Sequence, residues 1–158
     1  MPSKIIAIIR YVIAFIGIFI AFYYYFLPNV IISIQYINIF CVGLVGLISF
    51  FSHFIFYRSD AARLGWDKGN PNFQFEVGFA NLSFSLVAFS SYFGNWGIDV
   101  EAAIILCYSL YLLQASILHI YLFFNNKDNG YNRSAVSVIF SFIFPAAMLF
   151  FPLNFFIK

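Results

Sequence analysis

Residues 30–72 read VIISIQYINIFCVGLVGLISFFSHFIFYRSDAARLGWDKGNPN: no Asp, Glu, Lys or Arg occurs from Val30 to Tyr57, and then Arg58, Asp60, Arg63, Asp67 and Lys68 crowd into the loop that follows. Roughly 20 apolar residues carry a helix across a hydrocarbon core of about 30 Å at ~1.5 Å per residue, and this run is longer than that. The alternation continues in both directions, with turn-forming breaks at Pro28-Asn29, at Gly94-Asn95-Trp96-Gly97 and from Asn125 to Arg133. It predicts an all-α integral membrane bundle of five transmembrane helices, at about 5–27, 30–57, 73–93, 100–124 and 134–157. The loops are short, so residues 1–158 are expected to form a single transmembrane helical domain. No internal repeat marks the duplicated architecture of many transporters.

Composition points the same way. Charged residues make up 9% of the chain and hydrophobic ones 63%, against roughly 25% charged in a soluble domain. A soluble fold of this size leaves about 30% of its surface wet and could not hide so much apolar area. Of the eight Lys and Arg residues, Lys4, Arg10, Arg58, Arg63, Lys68, Lys127 and Arg133 fall on one side of a five-span arrangement and only Lys158 on the other. The positive-inside rule then puts the N-terminus in the cytoplasm and the C-terminus outside. These cations form no clustered basic face, so nucleic acid is not an expected partner; the bilayer is. The first run is too long for the apolar core of a signal peptide and is expected to be a retained span. Tyr23, Tyr24, Tyr25 and Trp96 on the outer side and Trp66 on the inner suit interfacial aromatic belts.

Helical spacing shows which faces look inward. Gln35, Asn38, Val42, Gly46, Ser49 and His53 form one stripe along the second run, as expected for residues three or four apart. Arg10, Ala14, Gly17 and Ala21 mark the first run, and Ser134, Ser137, Ser141, Pro145, Met148 and Pro152 the last. The third run carries two such faces about 180° apart, one with Gln74, Gly78, Asn81, Ser85 and Ala88, the other with Glu76, Ala80, Ser83 and Ser90. It is therefore the expected central helix. Small residues let helix backbones approach and Ser or Asn can bond across helices, so packing alone explains much of these stripes. Gly17-x-x-x-Ala21 could serve such a contact within the chain or between two copies. Asn70 before Pro71 reads as the N-cap of the third helix and Asp99 as that of the fourth, with Glu101 facing the helix dipole.

Packing does not explain an ionisable side chain inside the membrane. Glu76 is expected about one turn inside, where a lone carboxylate costs on the order of 2–3 kcal/mol, so it should be paired, protonated or wet, with Arg58, Arg63, His53 and His119 as the possible partners. The topology gathers His53, Arg58, Asp60, Gln74, Glu76, Asn81, His119 and Asn125 in the cytoplasmic half. The candidate binding cluster is His53, Arg58, Trp66, Gln74, Glu76, Asn81 and His119. His53 and His119 could in principle hold a haem iron, but hydrogen-bonded interfacial histidines are the preferred reading, and no cofactor, metal site or catalytic residue is predicted. Cys41 and Cys107 form no C-x-x-C pair and read as buried apolar thiols. No P-loop, dinucleotide, H-E-x-x-H or G-x-S-x-G motif is present.

The stretch Gly65-Trp66 and then Gly69-Asn70-Pro71-Asn72-Phe73-Gln74-Phe75-Glu76-Val77-Gly78-Phe79-Ala80-Asn81-Leu82 resembles a G-W-x-x-G-x-P-F-Q-x-E-x-G-x-A-N-L segment of an uncharacterised family of small bacterial multi-span integral membrane proteins. Asn72 stands as an insertion between the Pro and the Phe, and the similarity extends loosely from His53 to His119. It implies a multi-span bundle in a bacterial inner or plasma membrane and adds weight to Trp66, Gln74, Glu76 and Asn81, with no activity attached. Three functions fit: a small transporter or channel-type protein whose cytoplasm-facing pocket takes a small solute or protons, a non-catalytic accessory or structural subunit, and an intramembrane enzyme or redox carrier. A homo-oligomer or a membrane-protein partner is compatible with each.

Overall fold

The computed structural model of the chain describes residues 2–66, 69–125 and 134–157. Among them the chain forms six helices: α1 (Pro2–Phe26), α2 (Val30–Ile55), α3 (Tyr57–Leu64), α4 (Asn72–Phe93), α5 (Ile98–Asn125) and α6 (Ala135–Phe156). Four of these, α1, α2, α5 and α6, are long and apolar enough to cross a membrane. They mark the chain as a membrane protein. The fifth expected span, α4, has 22 residues but is diluted by Gln74, Glu76, Asn81 and four serines, and does not reach the apolarity of the others. Lys68, Lys127, Arg133 and Lys158 of the charge pattern lie outside the described residues.

The second helix holds the bundle together, and the expectation of a central third helix is overturned. Half of the apolar window of α2 is buried inside the chain (50%), against 22–28% in α1, α5 and α6, and α2 packs on α1, α4, α5 and α6. By contrast α4 buries one face, Gln74, Gly78, Asn81, Ser85, Ala88 and Ser91, while Glu76, Ser83 and Ser90 on the other are exposed. Helical period alone cannot tell a covered polar face from an open one. Gly46 lets α4 lie close against α2, since a Cβ there would come within 2.9 Å of the Asn81 carbonyl oxygen. Gly17 is covered in the same way by Phe40 and Cys41 of the same chain, and Ala21 is fully buried, so the Gly17–Ala21 face is used within the bundle.

Two departures from regular α geometry distinguish α2. Ile37–Leu44 and Phe51–Ile55 are wound as π-helix, with i→i+5 hydrogen bonds, a winding uncommon in helices and often found at functional positions. In the first of them Ser85 of α4 donates to the Gly43 carbonyl at 2.7 Å. In α6, Pro145 lacks the N–H that would bond the Ser141 carbonyl four residues before it. Ser116 of α5 reaches that carbonyl instead, with its Oγ 2.5 Å from it and 2.7 Å from the Leu112 carbonyl of its own helix, so that one proton serves both. α6 packs chiefly on α5 and turns Val138, Pro145, Met148, Phe151 and Pro152 inward, close to the expected stripe.

The segment from Arg58 onward, read from sequence as a polar loop, begins with helix α3. Its buried residues Asp60, Ala61 and Leu64 share one face, and Gly65 ends it in the left-handed region (φ 75°), where only glycine is unstrained. The N-cap expectations also shift. α4 begins at Asn72, whose N–H is accepted by Asn70 Oδ1 at 3.3 Å. α5 begins before Asp99, which is exposed in the first turn.

Candidate functional site

A ladder of buried polar groups follows α2 from the α3 end of the bundle to the opposite end. At the α3 end, Asp60 is fully buried and accepts from Arg63 Nη2 at 2.5 Å on one oxygen, while His53 Nδ1 lies 2.8 Å from the other. Burial by itself would raise the Asp60 carboxyl; the His53 imidazole and the Arg63 guanidinium outweigh it and hold the group well below the usual carboxylate range. Trp66 stacks over His53 with ring centroids 5.7 Å apart and meets Phe73 at 5.4 Å. The hydroxyls of Ser3 and Ser59 close the same end by joining α1 to α3 at 2.9 Å.

Gln74 lies one helical turn before Gly78, where a Cβ would meet His53 at 3.5 Å. It follows Phe73, which touches Trp66, and precedes Phe75, which touches Phe54 and Tyr57. It is 2% exposed, and neither its amide nitrogen nor its amide oxygen has a hydrogen-bond partner among the described residues. Such a buried amide is uncommon in folded proteins and points to a water or a small polar molecule as its natural partner.

In the middle of the bundle, Asn81 is the hub. Its Nδ2 donates to the Val77 carbonyl at 2.7 Å and its Oδ1 accepts from the Tyr108 hydroxyl at 2.7 Å, while the Tyr111 hydroxyl faces it as well. On the adjoining side Ser49 donates to the Val45 carbonyl at 2.8 Å and accepts from Arg10 Nη1 at 3.3 Å. At the opposite end, Asn38 Nδ2 lies 3.1 Å from Glu101 Oε2, 3.1 Å from Ser91 Oγ and 3.2 Å from the Ala88 carbonyl. Glu101 is 4% exposed, so its role is lateral bonding to α2 rather than the dipole contact expected from its place in the first turn.

Of the residues singled out in the sequence, the structure brings His53, Asp60 and Trp66 together and adds Arg63 as the second partner of Asp60, while Gln74 lies one turn before Gly78, which packs on His53. Asn81 sits about two turns further along, at the hub. Arg58 lies outside the cluster, exposed, with its Nε donating to the Tyr57 hydroxyl at 2.9 Å. Glu76 points away from the bundle. His119 lies on α5, whereas the segment bearing His53 packs on α4, α3, α1 and the rest of α2, so the two histidines are not gathered at one centre. Cys41 is buried with its Sγ 3.7 Å from the Ala14 carbonyl, but Cys107 is exposed, contrary to expectation. Among the described residues no three His, Cys, Asp or Glu side chains converge as metal ligands would. The pairings of Arg63 with Asp60 and of Glu101 with Asn38 were missed. Arg63 is three residues after Asp60, one helical turn, a signal that a loop reading discards.

A family model spans residues 4–153 of the chain and is described as a family of unknown function, DUF6790. The chain belongs to that family. Its description assigns no activity, and the stretch from Gly65 to Leu82 lies within the matched residues. No curated protein and no solved structure matches.

Proposed function

We propose that this chain is a five-span membrane protein in which the ladder carries protons or a small polar solute between the two ends of the bundle. One observation carries the reading: polar groups recur on the buried face of α2 from Asn38 through Ser49 to His53, each engaged by a neighbouring helix, with the buried, unengaged Gln74 amide one turn before Gly78, which packs on the last. From Asn38 to His53 this face covers about 22 Å of helix. Ser91 and Ala88 of α4 meet Asn38 of α2, Ser85 meets Gly43, Asn81 meets Gly46 and Gly78 meets His53, so α4 runs antiparallel to α2 over that whole depth. This supports α4 as a span despite its modest apolarity. With five spans, the described cations Lys4, Arg58 and Arg63 gather at the α3 end, which the positive-inside rule assigns to the cytoplasm of a plasma membrane. The site on this reading is His53, Asp60, Arg63, Trp66 and Gln74 as entrance, with Asn81 and Tyr108 as the passage.

Purified protein in liposomes loaded with a pH-sensitive dye provides the test. Under an imposed potential, protein-containing liposomes should change internal pH, or should shrink and swell with small polar solutes, faster than empty ones. Identical traces for both would end the proposal. A second reading, an accessory subunit, is favoured by the exposed Glu76, Ser83 and Ser90 on α4, which a neighbouring membrane helix could engage. Glu76→Gln should then weaken complex assembly and leave any flux intact.

A further inference from the structure

At the end of the ladder opposite α3, three buried side chains have more acceptors than protons to fill them. Asn38 and Ser91 are 0% exposed and Glu101 is 4% exposed. The Asn38 amide nitrogen sits among three oxygens, Glu101 Oε2 and Ser91 Oγ at 3.1 Å and the Ala88 carbonyl at 3.2 Å, which fixes the orientation of the amide. Ser91 donates its own proton to the Ala88 carbonyl at 2.9 Å, so the two amide protons go to Glu101 and Ser91. Asn38 Oδ1 is then left with no donor among the described residues, a rare condition for a buried amide oxygen. Glu101 is short of donors too. Among the described residues Asn38 alone bonds its carboxylate, and both ion pairs lie at the α3 end. The N–H groups of Val100 and Glu101 turn to the Gly97 carbonyl instead. The titratable groups at this end are the tyrosines 23–25 of α1, Tyr36 and Cys41 of α2, Tyr92 of α4 and Asp99 of α5, and α6 carries none. At neutral pH only Asp99 among them is charged, and it is exposed and negative.

We propose that Glu101 is a proton-binding site: it takes a proton on the carboxyl oxygen that Asn38 Nδ2 does not engage and donates it to Asn38 Oδ1. Amide and acid then close a ring of two hydrogen bonds, one in each direction, and a single proton satisfies both groups. A carboxylate closed off from water with no cation beside it takes up a proton rather than stay charged, and the orphaned amide oxygen gives that proton a direction. The positive end of the α5 dipole favours the anion, but it amounts to only about half an elementary charge. Uptake joins a proton from water to the Glu101 oxygen; release returns it to water and leaves the carboxylate with the one bond from Asn38. The site deepens the reading of the ladder as a passage by naming the proton as its cargo, and it rests on that reading only for transport; the protonated pair stands by itself.

The test is infrared spectroscopy of the full chain in lipid, grown with isotope-labelled glutamate. Glu76 and Glu101 are the only glutamates in the sequence, so the labelled Glu76→Gln protein reports Glu101 alone with nothing changed at the site. At neutral pH it should show the C=O stretch of a carboxylic acid, displaced downward in heavy water. Carboxylate bands in its place would overturn the site. Asn38→Leu in the same background should keep the acid band and move it to higher frequency, because the proton has lost its acceptor; an unmoved band would overturn the pairing with Asn38. The first measurement decides the proposal whether or not Asn38→Leu folds. In liposomes Glu101→Gln, which preserves the ring of hydrogen bonds but cannot release a proton, should lower proton flux severalfold, and unchanged flux would overturn the proton as cargo. A protonated Glu101 without flux in wild type would retire the passage and keep the site; flux in wild type with an ionised Glu101 would do the reverse.

Discussion

At the scale of single residues, Asp60 governs the α3 end. Its native carboxyl is held below its ordinary value by His53 and Arg63 despite the opposing effect of burial. In the unfolded chain it takes up a proton near pH 4. The unfolded state therefore binds protons first as acid is added. The ion-pair contribution is fully present above about pH 4 and is lost as pH falls from there through the lower native value. Asp60→Asn takes the carboxylate away from the half-buried Arg63 guanidinium and from buried His53, and breaking a buried pair on one side costs about 3–5 kcal/mol in comparable sites. Thermal unfolding of both proteins from pH 8 to pH 3 should show a constant gap down to about pH 4 and a shrinking one below it. A gap that shrank already between pH 7 and 5 would contradict this role for Asp60. The sequence made His53, Gln74 and Asn81 legible, because three- and four-residue spacing places polar side chains on one face. It placed Asp60 in the same half of the bundle but not its pairing with Arg63, because a short amphipathic helix rich in charge resembles a loop when only apolar runs are scored. Glu76 misled for the converse reason: periodicity gives a direction around the helix, and what lies in that direction is set by tertiary packing.

At the scale of elements, proline and serine explain how α5 and α6 join. Pro145 leaves the Ser141 carbonyl without its helical donor, and Ser116 supplies one from the neighbouring helix. Ser116→Ala should destabilise the protein by about 1 kcal/mol. In a Pro145→Ala background the backbone N–H returns to that carbonyl, so the same change should cost roughly half or less. A double-mutant cycle on unfolding midpoints measures the difference, and equal costs in both backgrounds would contradict the arrangement. The run boundaries of α1, α5 and α6 were readable to within a few residues, since apolar length sets them. The π-wound stretches of α2 were not. Their sequence, from Ile37 to Leu44 and Phe51 to Ile55, is as apolar as an ordinary span, and extra winding of the backbone leaves no signature in hydropathy.

At the scale of the whole molecule, α2 is the axis on which every other long helix packs, and α4 carries the difference between four and five crossings. Five crossings place the two termini on opposite sides of the membrane; four place them together. Epitope tags at each end, probed with protease on intact and opened cells, should show opposite accessibility. The charge pattern predicts the opposite-side arrangement, whereas the position of the centre depended on which polar faces found partners, as Asn38, Gly46 and His53 of α2 do. The central claim is that these partners form a passage. Flux measured in liposomes for wild type, Asn81→Leu and Glu76→Gln tests it most directly: the account predicts flux in wild type, at least a tenfold (~10-fold) loss in Asn81→Leu, about 1.4 kcal/mol of barrier, and no change in Glu76→Gln. Flux that survived in Asn81→Leu, or was lost only in Glu76→Gln, would contradict it.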